Sequence, residues 1–179
     1  MSDFSTTLVP HGLTLVLGGA RSGKSAYAEN LIEAAGGGIY LASAEALDDE
    51  MTDRISRHRA RRGGNWETIE EPLEIAAVFA RLTGDKEKRP VLFDCLTLWL
   101  SNLLHRDRDI DTEMDDLAEA LKAASFPIVA VSNEVGGGIV PDNRLARAFV
   151  DRAGLMNQHF AAIADRVILV TAGIPLQLK

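Results

Sequence analysis

Eight residues near the start of the chain have the types and spacing of a phosphate-binding loop. They fit the pattern G-x-x-x-x-G-K-[ST] and are Gly18, Gly19, Ala20, Arg21, Ser22, Gly23, Lys24 and Ser25. The glycines let the backbone curl so that its N–H groups converge on phosphate oxygens, and the following helix adds partial positive charge. Lys24 is predicted to reach the β and γ phosphates, and the Ser25 hydroxyl to hold Mg²⁺. The pattern predicts binding of a nucleoside triphosphate without separating kinases, ATPases, GTPases and switches.

A carboxylate follows an apolar run in the middle of the chain. Asp94 closes the segment 90–94, which is predicted to be a strand. At that position it would be the second residue beside the metal ion, together with Ser25. The alternative is that Asp94 only caps the helix predicted to begin at Leu96, because aspartate is a good N-cap in any fold.

One histidine lies in a strongly charged segment, 48–62, that is predicted to be helical. Arg54, His58 and Arg62 are spaced four residues apart and Arg61 follows His58 by three, so they share a helix face. Neighbouring positive charge disfavours the imidazolium, which leaves a neutral, nucleophilic ring beside guanidinium groups that bind phosphate. The site could attack a phosphorus atom. The alternative is an ordinary solvated basic face, because runs of charge usually face solvent.

Short apolar runs alternate with helical segments along the chain. The predicted strands are 13–17, 39–42, 90–94, 127–132 and 166–171, with 175–179 as an edge strand. The predicted helices are 24–35, 48–62, 72–82, 96–104, 112–124, capped by Thr112, and 143–164, broken near Gly154. Repeated strand–helix units predict a mostly parallel sheet with helices on both faces. With the phosphate loop, this is an α/β, P-loop NTPase-like fold of the RecA-like type.

Composition limits the classes of protein. The 179 residues suit one domain, 13–179, after a short leader, 1–12, that we expect to be flexible. The 19 lysines and arginines against 26 acidic residues give a net charge of −7, which argues against general binding of nucleic acid. Cys95 is the only cysteine, so a disulfide or cysteine-cluster metal site cannot form within the chain, and a cytoplasmic setting fits. The apolar runs are too short to predict a membrane span.

Beyond these patterns, the chain resembles a known family over residues 13–179. The phosphate loop is followed by Tyr40-Leu41-Ala42-Ser43-Ala44 and by Asp48-Asp49-Glu50-Met51 ahead of His58. The most distinctive segment is Ser132-Asn133-Glu134-Val135-Gly136-Gly137-Gly138-Ile139-Val140-Pro141. These motifs are similar to those of the bifunctional adenosylcobinamide kinase / adenosylcobinamide-phosphate guanylyltransferase family of cobalamin biosynthesis.

The resemblance implies two reactions on a corrinoid substrate. ATP or GTP phosphorylates adenosylcobinamide, and GTP then guanylylates a histidine, which falls on His58, so that GMP passes to adenosylcobinamide phosphate. The implied nucleotide contacts are Gly18, Gly19, Ala20, Arg21, Ser22, Gly23, Lys24, Ser25, Ala42, Ser43, Ala44, Arg59, Ala60, Arg61, Arg62, Glu70 and Asp94. Some relatives have glutamate at the position of Asp94, whose shorter side chain alters the reach to metal or nucleotide. The resemblance also implies a homo-oligomer, with a trimer as the suggested form.

Two other functions are compatible with the phosphate loop alone. One is a simple kinase of another small alcohol, in which His58 only orders its helix. The other is a nucleotide switch or DNA-dependent ATPase, against which the net charge and the lack of interleaved aromatic and basic residues count. The loop Asn133–Gly138 has two equal interpretations: it receives the corrinoid at the end of a strand, or it is a turn whose glycines meet backbone demands.

Overall fold

Strands from distant parts of the chain form one sheet in the computed structural model, which describes residues 11–45 and 64–179. Its strands within those ranges are β1 (Leu13–Gly18), β2 (Gly38–Ala42), β3 (Trp66–Glu70), β4 (Val91–Asp94), β5 (Ile128–Asn133), β6 (Arg166–Thr171) and β7 (Ile174–Gln177). Their order in the sheet is β3-β2-β4-β5-β1-β6-β7. All neighbours are parallel except β6 and β7, which form an antiparallel hairpin.

Helices cover both faces of this sheet. Those of the described ranges are α1 (Lys24–Glu33), α2 (Ile75–Gly84), α3 (Leu96–His105), α4 (Ile110–Ala123) and α5 (Arg144–Ile163). Leu15 and Leu17 of β1 belong to an apolar cluster with α2, α3, α4 and α5, whereas Val16 belongs to a second cluster with α1. Alternate residues of a strand point to opposite faces, so β1 is buried on both sides. The predicted α/β fold class, a mostly parallel sheet with helices on both faces, is confirmed.

The sheet order decides which residues meet at the functional edge. The carboxyl ends of parallel strands lie together, and ligands of open α/β sheets bind there. Gly18 at the end of β1 pairs with Asn133 at the end of β5, and Val131 of β5 pairs with Asp94 of β4. Ala42 at the end of β2 then lies between Asp94 and Glu70 of β3. Residues more than 110 positions apart therefore form one continuous edge.

Most predicted elements are confirmed with small changes in their bounds, but three details were wrong. β3 was not predicted, because its alternating and largely exposed residues give no buried apolar run. Thr112 is not the helix cap: α4 begins at Ile110, and Asp109 accepts the N–H groups of Asp111 and Thr112. The long helix α5 is not broken at Gly154, where a side chain would meet nothing within 4 Å.

The helix predicted over 48–62 and most of the leader fall outside the described residues. Within the described ranges, no helix combines the length and the apolar character needed to cross a bilayer.

Candidate active site

The phosphate loop lies between β1 and α1, as the sequence pattern requires. Its backbone enters the left-handed region at Arg21 (φ 57°) and Gly23 (φ 96°). Gly23 is the residue before the first turn of α1 and packs against the hairpin, since a Cβ there would lie 3.2 Å from Gly173 Cα. Gly18 is required for another reason: a Cβ would lie 2.6 Å from the backbone oxygen of Val170. The glycines thus permit the tight path of the loop.

Hydrogen bonds from the segment after β5 and from the β6–β7 turn hold two carbonyl groups of the phosphate loop. The carbonyl of Gly18 accepts the N–H of Glu134 at 3.1 Å, and the carbonyl of Ser22 accepts the N–H of Gly173 at 2.8 Å. Gly173 belongs to the two-residue turn of the β6–β7 hairpin, and both turn residues, Ala172 and Gly173, have positive φ (52° and 78°). Positive φ at both positions is the geometry of a type I′ hairpin turn.

Lys24 is buried under this loop. Its side chain is 6% exposed, and Nζ donates to the carbonyl of Gly19 at 3.1 Å. Burial and the charge of Asp94 together raise the pKa of the neighbouring Cys95 thiol to about 12, and the charge of Lys24 opposes this rise. Helix α1, which begins at Lys24, shares an apolar cluster with Leu92 of β4, the strand that ends at Asp94.

Asp94 lies at the functional edge and is not a helix cap. Its Oδ2 accepts a hydrogen bond from the hydroxyl of Tyr40 at 2.9 Å, which orients the carboxylate across β2 and β4. The residue before α3 is Cys95, and no side-chain hydrogen bond caps that helix. The capping alternative for Asp94 is therefore not supported.

Ser25 and Asp94 have the donor chemistry that Mg²⁺ prefers. A hydroxyl and a carboxylate supply hard oxygen ligands, and nucleotide-bound Mg²⁺ takes its remaining ligands from phosphates and water. Asp94 is half-buried and Ser25 is in the first turn of α1, beside Lys24. The described residues contain no group of three or more His, Cys, Asp or Glu that could hold a metal by themselves. The residues present fit a metal that arrives with a nucleotide.

Ser43, the central residue of the predicted contact Ala42–Ser43–Ala44, is fully buried. Its Oγ accepts the N–H of Cys95 at 2.9 Å and donates to the carbonyl of Cys95 at 2.7 Å. Its carbonyl accepts the side-chain amide of Asn102 at 2.8 Å. Ser43 thus joins the end of β2 to the start of α3. Its predicted contact with the nucleotide stays a prediction.

One residue of α3 and the residue that follows this helix hold the same segment, and the sequence interpretation missed both. Asn102 is 8% exposed and also donates to the carbonyl of Pro72 at 3.0 Å. Arg106 binds both carboxylate oxygens of Glu45, at 2.8 and 2.9 Å. A polar residue among the leucines of α3 was the available signal for Asn102, since an amide is buried only where it finds hydrogen-bond partners.

A buried polar network holds the end of β5, and sequence reasoning also missed it. Ser132 Oγ donates to Asn157 Oδ1 of α5 at 2.6 Å and lies 3.2 Å from Thr97 Oγ1 of α3. Asn157 Nδ2 in turn donates to the carbonyl of Asn133 at 3.2 Å and to Glu134 Oε1 at 2.8 Å. The N–H of Asn133 donates to Thr97 Oγ1 at 2.7 Å. Two helices therefore fix the start of the glycine-rich loop beside the phosphate loop.

Some predicted site residues are not part of this geometry. Glu70 ends the edge strand β3 and is exposed, next to Ala42 in register. The predicted nucleophile, His58, and the predicted nucleotide contacts that follow it lie outside the described residues; these contacts are Arg59, Ala60, Arg61 and Arg62. The structure therefore brings together the phosphate loop, Lys24 and Asp94.

Comparisons with known proteins identify relatives over nearly the whole chain. The bifunctional adenosylcobalamin biosynthesis protein CobP of Pseudomonas aeruginosa is 47% identical over 169 residues, covering 92% of this chain and 96% of that protein. The bifunctional adenosylcobalamin biosynthesis proteins CobU of Salmonella typhimurium and Escherichia coli are 41% and 40% identical, covering 93% of this chain and 99% of each.

Among solved structures, the flagellar accessory protein FlaH from Methanocaldococcus jannaschii has a TM-score of 0.53 at 13% identity. The match covers 96% of this chain and 80% of the FlaH chain, and it supports the fold alone. The family model described as cobinamide kinase / cobinamide phosphate guanyltransferase matches residues 14–178. The chain is therefore a member of the cobinamide kinase / cobinamide phosphate guanyltransferase family.

Proposed function

We propose that this protein catalyses two consecutive steps in assembly of the nucleotide loop of cobalamin. It phosphorylates adenosylcobinamide with ATP or GTP, and it then transfers GMP from GTP to adenosylcobinamide phosphate, giving adenosylcobinamide-GDP and pyrophosphate. The observation that carries the proposal is 40–47% identity to bifunctional adenosylcobalamin biosynthesis proteins over more than 90% of both chains. The simple kinase of another alcohol is not favoured, because every one of these relatives is named bifunctional.

The phosphoryl-transfer half uses the residues of the sheet edge. In our proposal the N–H groups of the phosphate loop bind the phosphate oxygens, and Lys24 exchanges its bond to Gly19 for the β and γ phosphates. Ser25 and Asp94 would hold Mg²⁺, which supplies positive charge against the transferring phosphoryl group. Catalysis of this kind is mainly positioning and electrostatic stabilisation, and a buried lysine is worth more there than in water.

The guanylyl-transfer half uses His58, a residue outside the described ranges, and is supported by the sequence and the family. A ring nitrogen attacks the α-phosphorus of GTP, a nitrogen–phosphorus bond forms, and the bond to pyrophosphate breaks. The phosphate of adenosylcobinamide phosphate then attacks the same phosphorus and releases the histidine. Two displacements of this kind are covalent catalysis with ping-pong kinetics. Arg59, Arg61 and Arg62 would offset the charge, while Ala42, Ala44 and Glu70 would contact the GTP.

Labelled GTP tests the proposal directly. The protein incubated with GTP labelled at the α-phosphate should acquire one covalent label that survives alkali and is lost in acid. His58→Ala should abolish the label while most of the phosphorylation of adenosylcobinamide by ATP remains. His105→Ala is the matched control, because His105 lies at the surface end of α3 and should label like the wild type.

Two results would contradict this scheme. An unlabelled wild type that still phosphorylates a small alcohol would leave only the simple kinase. A label that persists in His58→Ala would move the nucleophile to another residue. The single domain over 13–179, the homo-oligomeric state with a trimer as its suggested form, and the cytoplasmic location remain predictions.

A further inference from the structure

Glu134 is the first residue after β5 and is exposed at the functional edge, where no role has been assigned to it. β5 lies between the strand that leads into the phosphate loop and the strand that ends at Asp94. The backbone N–H of Glu134 donates to Gly18 at the start of the phosphate loop. A side chain on this residue therefore begins next to the loop that is expected to hold the phosphates.

The carboxylate of Glu134 is held in place. Its Oε1 accepts Asn157 Nδ2 at 2.8 Å, and Asn157 is itself fixed by Ser132 and by the carbonyl of Asn133. Asn157 and Ser132 are 7% and 0% exposed, so this support is buried even though Glu134 faces solvent. The buried side chain of Asn157 therefore positions the exposed carboxylate of Glu134. Because this described partner is a neutral amide, the hydrogen bond does not neutralise the charge of the carboxylate.

A cavity that could receive an acceptor begins at Val135, the residue after Glu134. The residues that follow Glu134 line a cavity of about 310 Å³, which has apolar walls at Ile139 and Val140 and charged groups at Arg147 and Asp151. Ile139 and Val140 are 98% and 75% exposed, which is unusual for large apolar residues beside a polar site. An acceptor with an apolar body and a polar arm matches this lining.

We propose that Glu134 is the general base of the phosphoryl-transfer step, and that Asn157 positions it. This inference rests on the proposed function. The hydroxyl of the acceptor gives its proton to the carboxylate of Glu134 as its oxygen bonds to the γ-phosphorus. The bond between that phosphorus and the β–γ bridging oxygen breaks, and the nucleoside diphosphate leaves with the electron pair. The protonated carboxyl then returns its proton to water. Glu134 has no part in attack by the histidine on the α-phosphorus.

Glu134→Gln is the sharp test, because glutamine keeps an oxygen that can accept from Asn157 but cannot take a proton. With ATP as phosphoryl donor and adenosylcobinamide as acceptor, we expect kcat to fall by at least about 100-fold, the lower end for loss of a general base. The dissociation constant for ATP, the covalent label from GTP and the melting temperature should stay near those of the wild type. Glu119→Gln makes the same change on the exposed surface of α4, away from the functional edge, and should leave both activities within about twofold.

Three outcomes would overturn the inference. A Glu134→Gln variant within about threefold of the wild-type kcat would show that the carboxylate takes no proton. Equal losses of phosphorylation and of labelling would show that Glu134 only shapes the phosphate loop. A wild type that is guanylylated by GTP but does not phosphorylate adenosylcobinamide would refute the kinase half of the proposed function, and this inference with it.

Discussion

Replacing Ser43 by alanine separates a structural role from a nucleotide-binding role at one position. The hydroxyl is fully buried and forms two hydrogen bonds with Cys95: its oxygen accepts the N–H of Cys95, and its O–H donates to the carbonyl of Cys95. Alanine removes both. The carbonyl of Cys95 keeps a second partner, the N–H of Trp99 at 3.1 Å. The N–H of Cys95, however, loses the acceptor that the hydroxyl provides.

The expected cost follows from these two bonds. A buried N–H left without a partner costs about 1–3 kcal/mol, and loss of the bond to the carbonyl adds about 1 kcal/mol. Ser43→Ala should therefore lower the free energy of unfolding by about 2–4 kcal/mol. For a chain of this length, each kcal/mol lowers the melting temperature by about 2–4 °C, so we expect a decrease of roughly 5–15 °C.

Urea denaturation of the variant and isothermal titration with GTP together decide between the roles. Ser125→Ala is the control, because Ser125 is exposed and its loss should change stability by less than about 0.5 kcal/mol. Ser43→Ala should be destabilised, with a dissociation constant for GTP close to that of the wild type at temperatures where it is folded. If its stability equalled that of Ser125→Ala while GTP binding weakened, Ser43 would be a nucleotide contact and the structural argument would be wrong.

Three further predictions concern single residues. Gly18→Ala should lower the free energy of unfolding by about 1–3 kcal/mol in urea, since the new Cβ meets a backbone oxygen at 2.6 Å. Gly19→Ala, with nothing within 4 Å, should stay near the wild type, and equal losses would contradict the steric explanation. Because burial raises the pKa of the Cys95 thiol to about 12, Ellman's reagent should modify the native protein at pH 8 far more slowly than the unfolded protein. Hydrogen bonds from the Thr112 N–H and side chain lower the pKa of Asp109 in the folded protein. The ionised carboxylate therefore stabilises the fold above the ordinary aspartate pKa, and this stabilisation is lost as the pH falls through the lowered pKa. Asp109→Asn should therefore flatten the acid decline of the unfolding free energy, and an unchanged pH profile would refute this origin.

The phosphate loop was predicted from sequence because its requirements are local. The strand, the glycines and the helix start occupy consecutive positions, and each residue type meets a demand of its own segment. The class of the fold was predictable for a similar reason, since buried parallel strands appear as short apolar runs. The edge strand β3 lacks that signal, because its residues are largely exposed.

The rest of the site depends on contacts between distant segments. The hydrogen bonds that join Thr97, Ser132 and Asn157 link residues 25 and 35 positions apart on three elements. Side chains of these types are common on surfaces, and only the packing of α3 and α5 against β5 makes them a buried network. The cap of α4 was misplaced by three residues because aspartate and threonine both suit an N-cap position. In the structure Asp109 occupies that position and accepts the first free N–H groups of the helix.

The two tethers on the phosphate loop have a thermodynamic consequence. The N–H groups of Glu134 and Gly173 already hold the carbonyls of Gly18 and Ser22, so the phosphate loop has its shape before a substrate arrives. Binding of the nucleotide therefore does not have to order a flexible loop, which would cost conformational entropy. One of these tethers comes from a hairpin turn about 150 residues further along the chain, whose two positive-φ residues set where the donor N–H stands. Substitutions at this remote turn should therefore change the conformational entropy of the free phosphate loop. They should alter the rate constants for nucleotide association and dissociation even though no side chain of the turn needs to touch the nucleotide.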